Sequence, residues 1–223
     1  MNKRQLISII ENMKTFDPAR AKVQLEQYPT DAIAAVEMVF LAGFIHDDLY
    51  NTLVVDLGTG TGRLAISALC MGASRAVGIE IDLDAVLLAK ENARAFELDN
   101  RFDIVLGDVL VQPLHLGSAG AGATVLMNPP FGVQEKGADV RFLNAAMGLR
   151  GVRIIYSFHL KSEANRAFLK KAIASKGWKL DELHETRMIL PRLYKFHEKK
   201  RKEIEVDIYR IMPATITGTS CKT

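Results

Sequence analysis

The sequence predicts an α/β fold: a doubly wound, mostly parallel sheet with an antiparallel final strand and a short N-terminal helical extension. Three observations carry this expectation. Short β-branched apolar runs alternate with helical stretches between residues 53 and 175, the pattern of a parallel sheet covered on both faces. A glycine-rich turn, Gly58-Thr-Gly60-Thr-Gly62, joins the first run to the helix after it. Such turns sit at the carboxyl edge of the sheet, where open α/β folds bind ligands. The segment Glu203–Ile211 instead alternates polar and apolar residues, as a half-solvated antiparallel strand does.

Taken in order, residues 2–14 and 31–47 have helical periodicity and are joined by Lys22–Thr30. Strands are expected near Leu53–Leu57, Ala76–Ile81, Asp103–Gly107, Thr124–Met127 and Val152–Phe158. Helices are expected near Arg63–Met71, Asp84–Phe96, Asp139–Leu149 and Ser162–Ser175, with Gly72 and Gly177 at C-cap positions. Trp178–Leu190 is the expected hairpin partner of Glu203–Ile211, with the basic segment Arg192–Lys202 as the loop between them. These limits divide the chain into an extension (1–30), a main domain (31–212) and a tail (213–223) expected to lack order.

Composition excludes several classes. The 223 residues are 48% hydrophobic and 25% charged, enough for one sizeable core. The longest apolar stretch, Ala32–Ile45, has 14 residues and contains Glu37, too short to span a bilayer. Leu6–Ile10 runs directly into Glu11, Asn12 and Lys14, so neither a secretory leader nor a membrane location is expected, and the chain reads as cytoplasmic. Cys70 and Cys221 form no metal-binding or disulfide pattern, and the five histidines are scattered, so no metal is expected. Charge is unevenly spread. Arg192–Lys202 carries six Lys/Arg against Glu198, while the remaining chain is mildly acidic. That suggests a local anionic contact, although charge alone leaves a solvated loop open.

The glycine turn follows Asp56 and has the spacing G-x-G-x-G. A dinucleotide fingerprint needs its third glycine at position 63, which is Arg63. An acid beside the ligand suits a cation better than a pyrophosphate. Glu80, 22 residues after Gly58, ends the second strand, where a carboxylate can accept both hydroxyls of a ribose. Ile81 can pack on an adenine face. Asp108 follows the third strand and can accept from an adenine amino group, with the Val109 N–H donating to a ring nitrogen. Each acid alone could be a helix cap. Acids at three successive strand ends, with the glycine turn, fit S-adenosylmethionine: a nucleoside and a sulfonium cation without phosphates.

Asn128-Pro129-Pro130-Phe131 ends the fourth strand. Two prolines stiffen the backbone and push Asn128 away from helical conformation. The Asn128 amide oxygen and the Pro129 carbonyl can then accept both hydrogens of one NH₂ group. An amine on a heterocycle is a poor nucleophile because the ring withdraws its lone pair. Two aimed acceptors free that lone pair and point it at a methyl donor. Phe131 is placed to stack on the ring. The proton can leave after transfer, so no strong general base is needed.

With these residues assembled, the chain resembles the class I S-adenosylmethionine-dependent methyltransferases. More narrowly, it is similar to the archaeal and eukaryotic methyltransferase-like family that makes N6-methyladenosine in small-subunit ribosomal RNA. The resemblance spans Val23 to Ile211 and includes Leu25-Glu-Gln-Tyr-Pro-Thr30, the Asp56–Gly62 loop, Gly78-Ile-Glu-Ile-Asp82 and Gly107-Asp-Val109. It continues through Asn128-Pro-Pro-Phe-Gly132, Lys136-Gly-Ala-Asp139, Tyr194-Lys-Phe-His197 and Ile204-Glu-Val-Asp207. It implies a Rossmann-like sheet of seven strands. It further implies that Gln27, Thr30, Gly58, Thr61, Arg63, Glu80, Asp108, Val109 and Asn128 contact the cofactor; Tyr28 and Gly60 beside them are read as cofactor-binding too. Tyr28, Phe196 and His197 would wall the adenosine pocket. Lys195, Lys199, Lys200, Arg201 and Lys202 would hold RNA phosphates. Thr59, Thr61 and Arg63 depart from the eukaryotic pattern, which has cysteines and an apolar residue there. The resemblance also implies a partner, a small zinc-binding activator protein.

Two rival functions stay open at this level. Asn-Pro-Pro-aromatic also serves methylation of a glutamine side-chain amide in proteins. From another class, the chain could be a non-catalytic RNA-binding module, against which the complete Asn128–Phe131 motif argues.

Overall fold

The structure, a computed structural model, describes residues 1–17, 22–111, 122–132, 134–191 and 201–214. Its centre is a seven-stranded sheet in the order β3-β2-β1-β4-β5-β7-β6, with β1 Leu53–Leu57, β2 Arg75–Glu80, β3 Phe102–Leu106, β4 Ala123–Met127, β5 Val152–Leu160, β6 Trp178–Pro191 and β7 Arg201–Pro213. The first five strands are parallel, and β7 runs antiparallel to both β5 and β6. Among the described residues six α-helices surround the sheet: α1 Lys3–Glu11, α2 Ala32–Phe40, α3 Arg63–Cys70, α4 Leu83–Ala95, α5 Ala138–Gly148 and α6 Glu163–Ser175. A single π-type turn, Leu41–Ile45, extends α2.

Alternation along the strands sorts their side chains between two layers. Val54, Leu126 and Ile154 face the core shared with α1, α2 and α3, while Val55, Val125, Met127 and Ile155 face the one shared with α5 and α6. Helix starts follow from local chemistry. Asn2 and Gln5 form a reciprocal capping box on α1, Asp31 accepts from the Ile33 and Ala34 N–H groups at α2, and Ser162 accepts from Asn165 at α6. Leu6 and Ile10 on α1 are fully buried in the first core. At about 1.5–3 kcal/mol for each fully buried aliphatic side chain, they anchor the N-terminal helix firmly.

Register decides where function gathers. Leu57 pairs with Met127 on one side and Ile79 on the other, and Glu80 pairs with Leu106. Gly58, Asn128, Glu80 and Gly107 therefore leave the sheet at one edge, beside the point where the chain reverses from β3 back to β4.

One element differs from the sequence expectation. The hairpin ladder continues to Pro191↔Arg201 and Leu190↔Lys202, so Arg201 and Lys202 are strand residues rather than loop residues. Backbone pairing is indifferent to side-chain charge, so a basic segment can continue a ladder. The strand also takes in Met212 and Pro213, and the Ala214 N–H bonds the Gly177 carbonyl. Arg192, Lys195, Phe196, His197, Lys199 and Lys200, like residues 215–223 of the expected tail, lie outside the described residues. Among the described residues, no helix is long and apolar enough to cross a membrane.

Candidate active site

A cleft of about 240 Å³ opens at the carboxyl edge of the sheet. Its floor is Gly58, Gly60, Asp108 and Val109; Glu80, Ile81, Asn128 and Pro130 line it; and Gln27 and Tyr28 close it from above. A smaller recess shares Tyr28, Gly58, Gly60 and Asn128 and adds Thr30, Thr61 and Arg63. The residues that the resemblance assigns to the cofactor therefore all meet in one place, although they come from five separate segments.

The glycine turn is shaped by what lies beneath it. Gly58, Gly60 and Gly62 all have positive φ, a conformation that L side chains rarely adopt. Gly78 on the neighbouring strand is needed for a different reason: a Cβ there would fall 2.7 Å from Thr59 Cγ2. Asp56, expected beside the ligand, lies under the turn and does not line the cleft. Its Oδ2 accepts from Thr59 Oγ1 at 2.7 Å and from the Ala65 N–H at 3.1 Å. It thus ties the loop to the start of α3. Oδ1 is buried and has no partner among the described residues.

Burial pushes the Asp56 carboxyl up to about 7, only partly opposed by those hydrogen bonds. The folded chain keeps this proton between about pH 4 and 7, where an unfolded aspartic acid has lost it, so the Asp56 contribution to stability falls as pH rises through that window. We expect Asp56→Asn to gain on the wild type by up to about 1.4 kcal/mol per pH unit across it. Urea unfolding of both proteins at pH 4.5 to 7.5 checks this, and a pH-independent difference would refute it.

Glu80 accepts from the Gly60 N–H at 2.8 Å and the Asp82 N–H at 2.9 Å, and from the Ile81 N–H as well, which fixes its carboxylate in the cleft wall. Burial raises its pKa, partly opposed by these bonds. Asp108 is half-buried and accepts from the Leu110 N–H at 2.8 Å, holding the turn that carries Val109. Ile81 is half-exposed at the rim.

Residues 22–30 cross the cleft as a strap. The Gln27 amide donates to Asp82 Oδ2 and accepts from the Lys22 N–H, while the Lys22 ammonium pairs with Asp82 Oδ1. Gln27 lines the cleft, but its polar atoms serve to buckle the strap to the start of α4. Burial alone would raise the Asp82 carboxyl; the Lys22 and Gln27 hydrogen bonds more than offset that and hold it below its ordinary value. At the far end, the Gln134 N–H donates to Glu26 at 2.7 Å, linking the strap to the loop after β4. Sequence reasoning missed Asp82 and Lys22, because 60 residues separate this ion pair along the chain.

Within Asn128–Phe131 the four side chains part company. Asn128 Nδ2 donates to Thr30 Oγ1 at 3.2 Å, and its Oδ1 is buried with no partner among the described residues. Pro129 is buried and Pro130 lines the cleft. Phe131, expected to stack on a substrate ring, is half-buried and packs against the first core. Beside Tyr28, further aromatic walls come from positions the sequence did not single out: Phe16, and Phe142 of α5, which packs over Gly58. Arg141 also lines the cleft and pairs with Glu135 at 2.6 Å. No group of three or more candidate metal ligands occurs among the described residues.

Residues 32–119 match the family model described as ribosomal protein L11 methyltransferase (PrmA), which ends before Asn128. The chain is 37% identical over 216 residues to the rRNA N(6)-adenosine-methyltransferase METTL5 of Danio rerio, covering 96% of this chain and all of the relative. It is 38% identical over 210 residues to Mettl5 of Drosophila melanogaster, another rRNA N(6)-adenosine-methyltransferase, covering 93% of this chain and 94% of that one. The crystal structure of PH1948 from Pyrococcus horikoshii superposes with a TM-score of 0.84 at 35% identity, covering 96% of this chain and 98% of that one.

Proposed function

This chain belongs to the rRNA N6-adenosine-methyltransferase family and uses S-adenosylmethionine as methyl donor; from that premise we propose that the adenosine it methylates lies in small-subunit ribosomal RNA. The observation that carries the site assignment is Asn128: a buried amide oxygen, with no donor of its own among the described residues, beside the cleft that Glu80 and Asp108 line.

The residues present fit the cofactor. Glu80 would take the ribose hydroxyls, and Asp108 with the Val109 N–H the adenine edge. Thr30, Thr61 and Arg63 would take the amino-acid end in the recess. When bound, S-adenosylmethionine supplies an electrophilic methyl group on a sulfonium. Asn128 Oδ1 accepts one hydrogen of the target N6 amine and the Pro129 carbonyl the other, which turns the nitrogen lone pair toward the donor. The methylated nitrogen then releases a proton to water. The target adenine must first leave its stack, at a cost of a few kcal/mol.

The basic residues Lys195, Lys199, Lys200, Arg201 and Lys202, with Phe196 and His197, serve in this reading as the RNA-binding surface. Lys202 is exposed at the end of the long hairpin, consistent with that role. Replacing the four lysines by glutamine is expected to weaken RNA binding and to flatten its salt dependence by about 0.7–0.9 in log–log slope for each phosphate no longer neutralised. Filter binding between 50 and 200 mM salt measures this, and an unchanged slope would reduce the segment to surface charge.

A zinc-binding activator protein is the second proposed partner. Support comes from the outer edge of the sheet, where Leu106 of β3, Leu83 and Leu87 of the adjoining α4, and Val111 in the turn after β3 are exposed. A pull-down from the host that recovers no such protein would count against it. The proposed location is the cytoplasm, where ribosomal RNA is a substrate. The catalytic unit is assigned to residues 31–212, with 1–30 as its extension and strap.

Transfer of tritiated methyl groups to host RNA, with and without the activator, tests the whole reading. Label in N6-methyladenosine of small-subunit RNA supports it. Label confined to protein would select the rival reading, a protein glutamine as acceptor.

A further inference from the structure

Arg63 opens α3, and its Nη1 donates to the Thr30 carbonyl at 2.6 Å. The side-chain hydroxyl of the same Thr30 accepts from Asn128 Nδ2 at 3.2 Å. A chain of two hydrogen bonds therefore links the first residue after the glycine turn, through the end of the strap, to the amide at the end of β4. An asparagine amide can present either its oxygen or its NH₂ in a given direction. Only the oxygen can accept from a substrate amine; the NH₂ would set donor against donor. With Nδ2 engaged at Thr30, Oδ1 is the atom left buried and unpartnered among the described residues.

We propose that Arg63 is a positioning residue for methyl transfer: its guanidinium fixes Thr30, and the Thr30 hydroxyl anchors the Asn128 amide in place at the end of β4. The inference rests on Asn128 as the acceptor of the target amine, and it assigns Arg63 a role beyond cofactor binding. A rigid fork suits this task, because one nitrogen can hold a backbone carbonyl while the planar group stays packed between the helix start and the strap. Thr30 carries both halves of the link, its backbone to Arg63 and its side chain to Asn128.

The test uses Arg63→Met and Thr30→Val, which keep side-chain bulk, with Arg63→Lys and Thr30→Ser as conservative variants. Each of the first two is expected to lower kcat by about 10- to 100-fold, the scale on which misplaced reacting groups act. The Kd for S-adenosylmethionine should rise as well, since both side chains also face its amino-acid end, so kcat is read at saturating cofactor, where only the misoriented amide is left to slow transfer. Thr30→Ser should restore most of kcat. The double variant Arg63→Met with Thr30→Val should be no slower than the worse single one, because both break the same link.

A cofactor Kd that rises in step with the fall of kcat/KM would reduce Arg63 to a cofactor ligand and overturn the proposal. So would an unchanged kcat in both single variants. A second readout needs no substrate. The Asn128 side-chain NH₂ pair, identified in nitrogen–proton correlation spectra by its absence from Asn128→Ala, should shift in both Arg63→Met and Thr30→Val. An unmoved pair in either variant overturns the link. If the wild type fails to methylate ribosomal RNA, the substrate reading falls while this spectrum still decides the fate of the proposal.

Discussion

Asn128→Ala is expected to lower kcat for methyl transfer by at least about 100-fold while changing the Kd for S-adenosylmethionine only a few-fold, the pattern of a preorganised polar group that acts on the reacting atoms. Asn128 lines both the cleft and its recess, yet the cleft keeps its other walls when this side chain is cut back. What disappears is the amide oxygen, which is buried, unpartnered among the described residues and able to accept from a substrate amine. Without that acceptor the N6 lone pair returns to the ring, so chemistry suffers and binding does not. Tritium transfer under saturating cofactor, set beside a direct cofactor titration, separates the two. Turnover within tenfold of the wild type would remove Asn128 from the mechanism.

The largest stability effect is expected far from the cleft, at Asp48. This carboxylate is 2% exposed and holds a buried network together. Its Oδ2 accepts from the Tyr156 hydroxyl at 2.7 Å and from Arg210 Nε at 3.0 Å, and Arg210 also pairs with Asp181. The Asp48 carbonyl accepts from Thr124 Oγ1 at 2.7 Å, so the residue joins the turn before β1 to β4, β5 and β7 at once. Burial, together with the Asp48 carboxylate, raises the Tyr156 pKa well above its ordinary range, which keeps that hydroxyl a donor. Asp48→Ala strands Arg210 as a buried, half-paired charge and leaves the Tyr156 hydroxyl without its acceptor. A fall of about 3–5 kcal/mol in unfolding free energy is expected, the usual cost of breaking a buried pair from one side. Adding Arg210→Met should recover part of it, since an apolar residue of similar length carries no charge to strand. Urea unfolding of the three proteins decides the point; a single-variant effect below about 1 kcal/mol would mean that water repairs the network.

The fold and much of the cleft are legible in the sequence because they rest on local signals. Alternating apolar runs and helical stretches place five parallel strands and four helices near their observed positions. Glu80, Asp108 and Asn128 stand out because strand ends in a parallel sheet converge, so a polar residue just past such an end is near the cleft wherever it lies in the chain. Phe131 shows the limit of that argument. Its place next to Asn128 suggests a role in stacking, and in the fold it also packs against the first core, a contact the motif does not announce. Phe142, far along the chain from the glycine it covers, supplies an aromatic wall without any motif to announce it. Asp56 reads as a ligand-side acid, whereas its oxygen points down to hold Thr59 and Ala65.

Sequence by itself determined the layer architecture and the cofactor class, and pointed to the carboxyl edge and to Asn128–Phe131, since each depends on periodicity or on residue types at short spacing. Only the tertiary structure decided which way the side chains of those segments turn and what holds them there. The Lys22–Asp82 buckle, the Arg63–Thr30–Asn128 link and the Asp48 network all join segments far apart in the chain. Their partners are set by strand register and by how helices pack on the sheet, and a linear pattern of residue types carries no record of either.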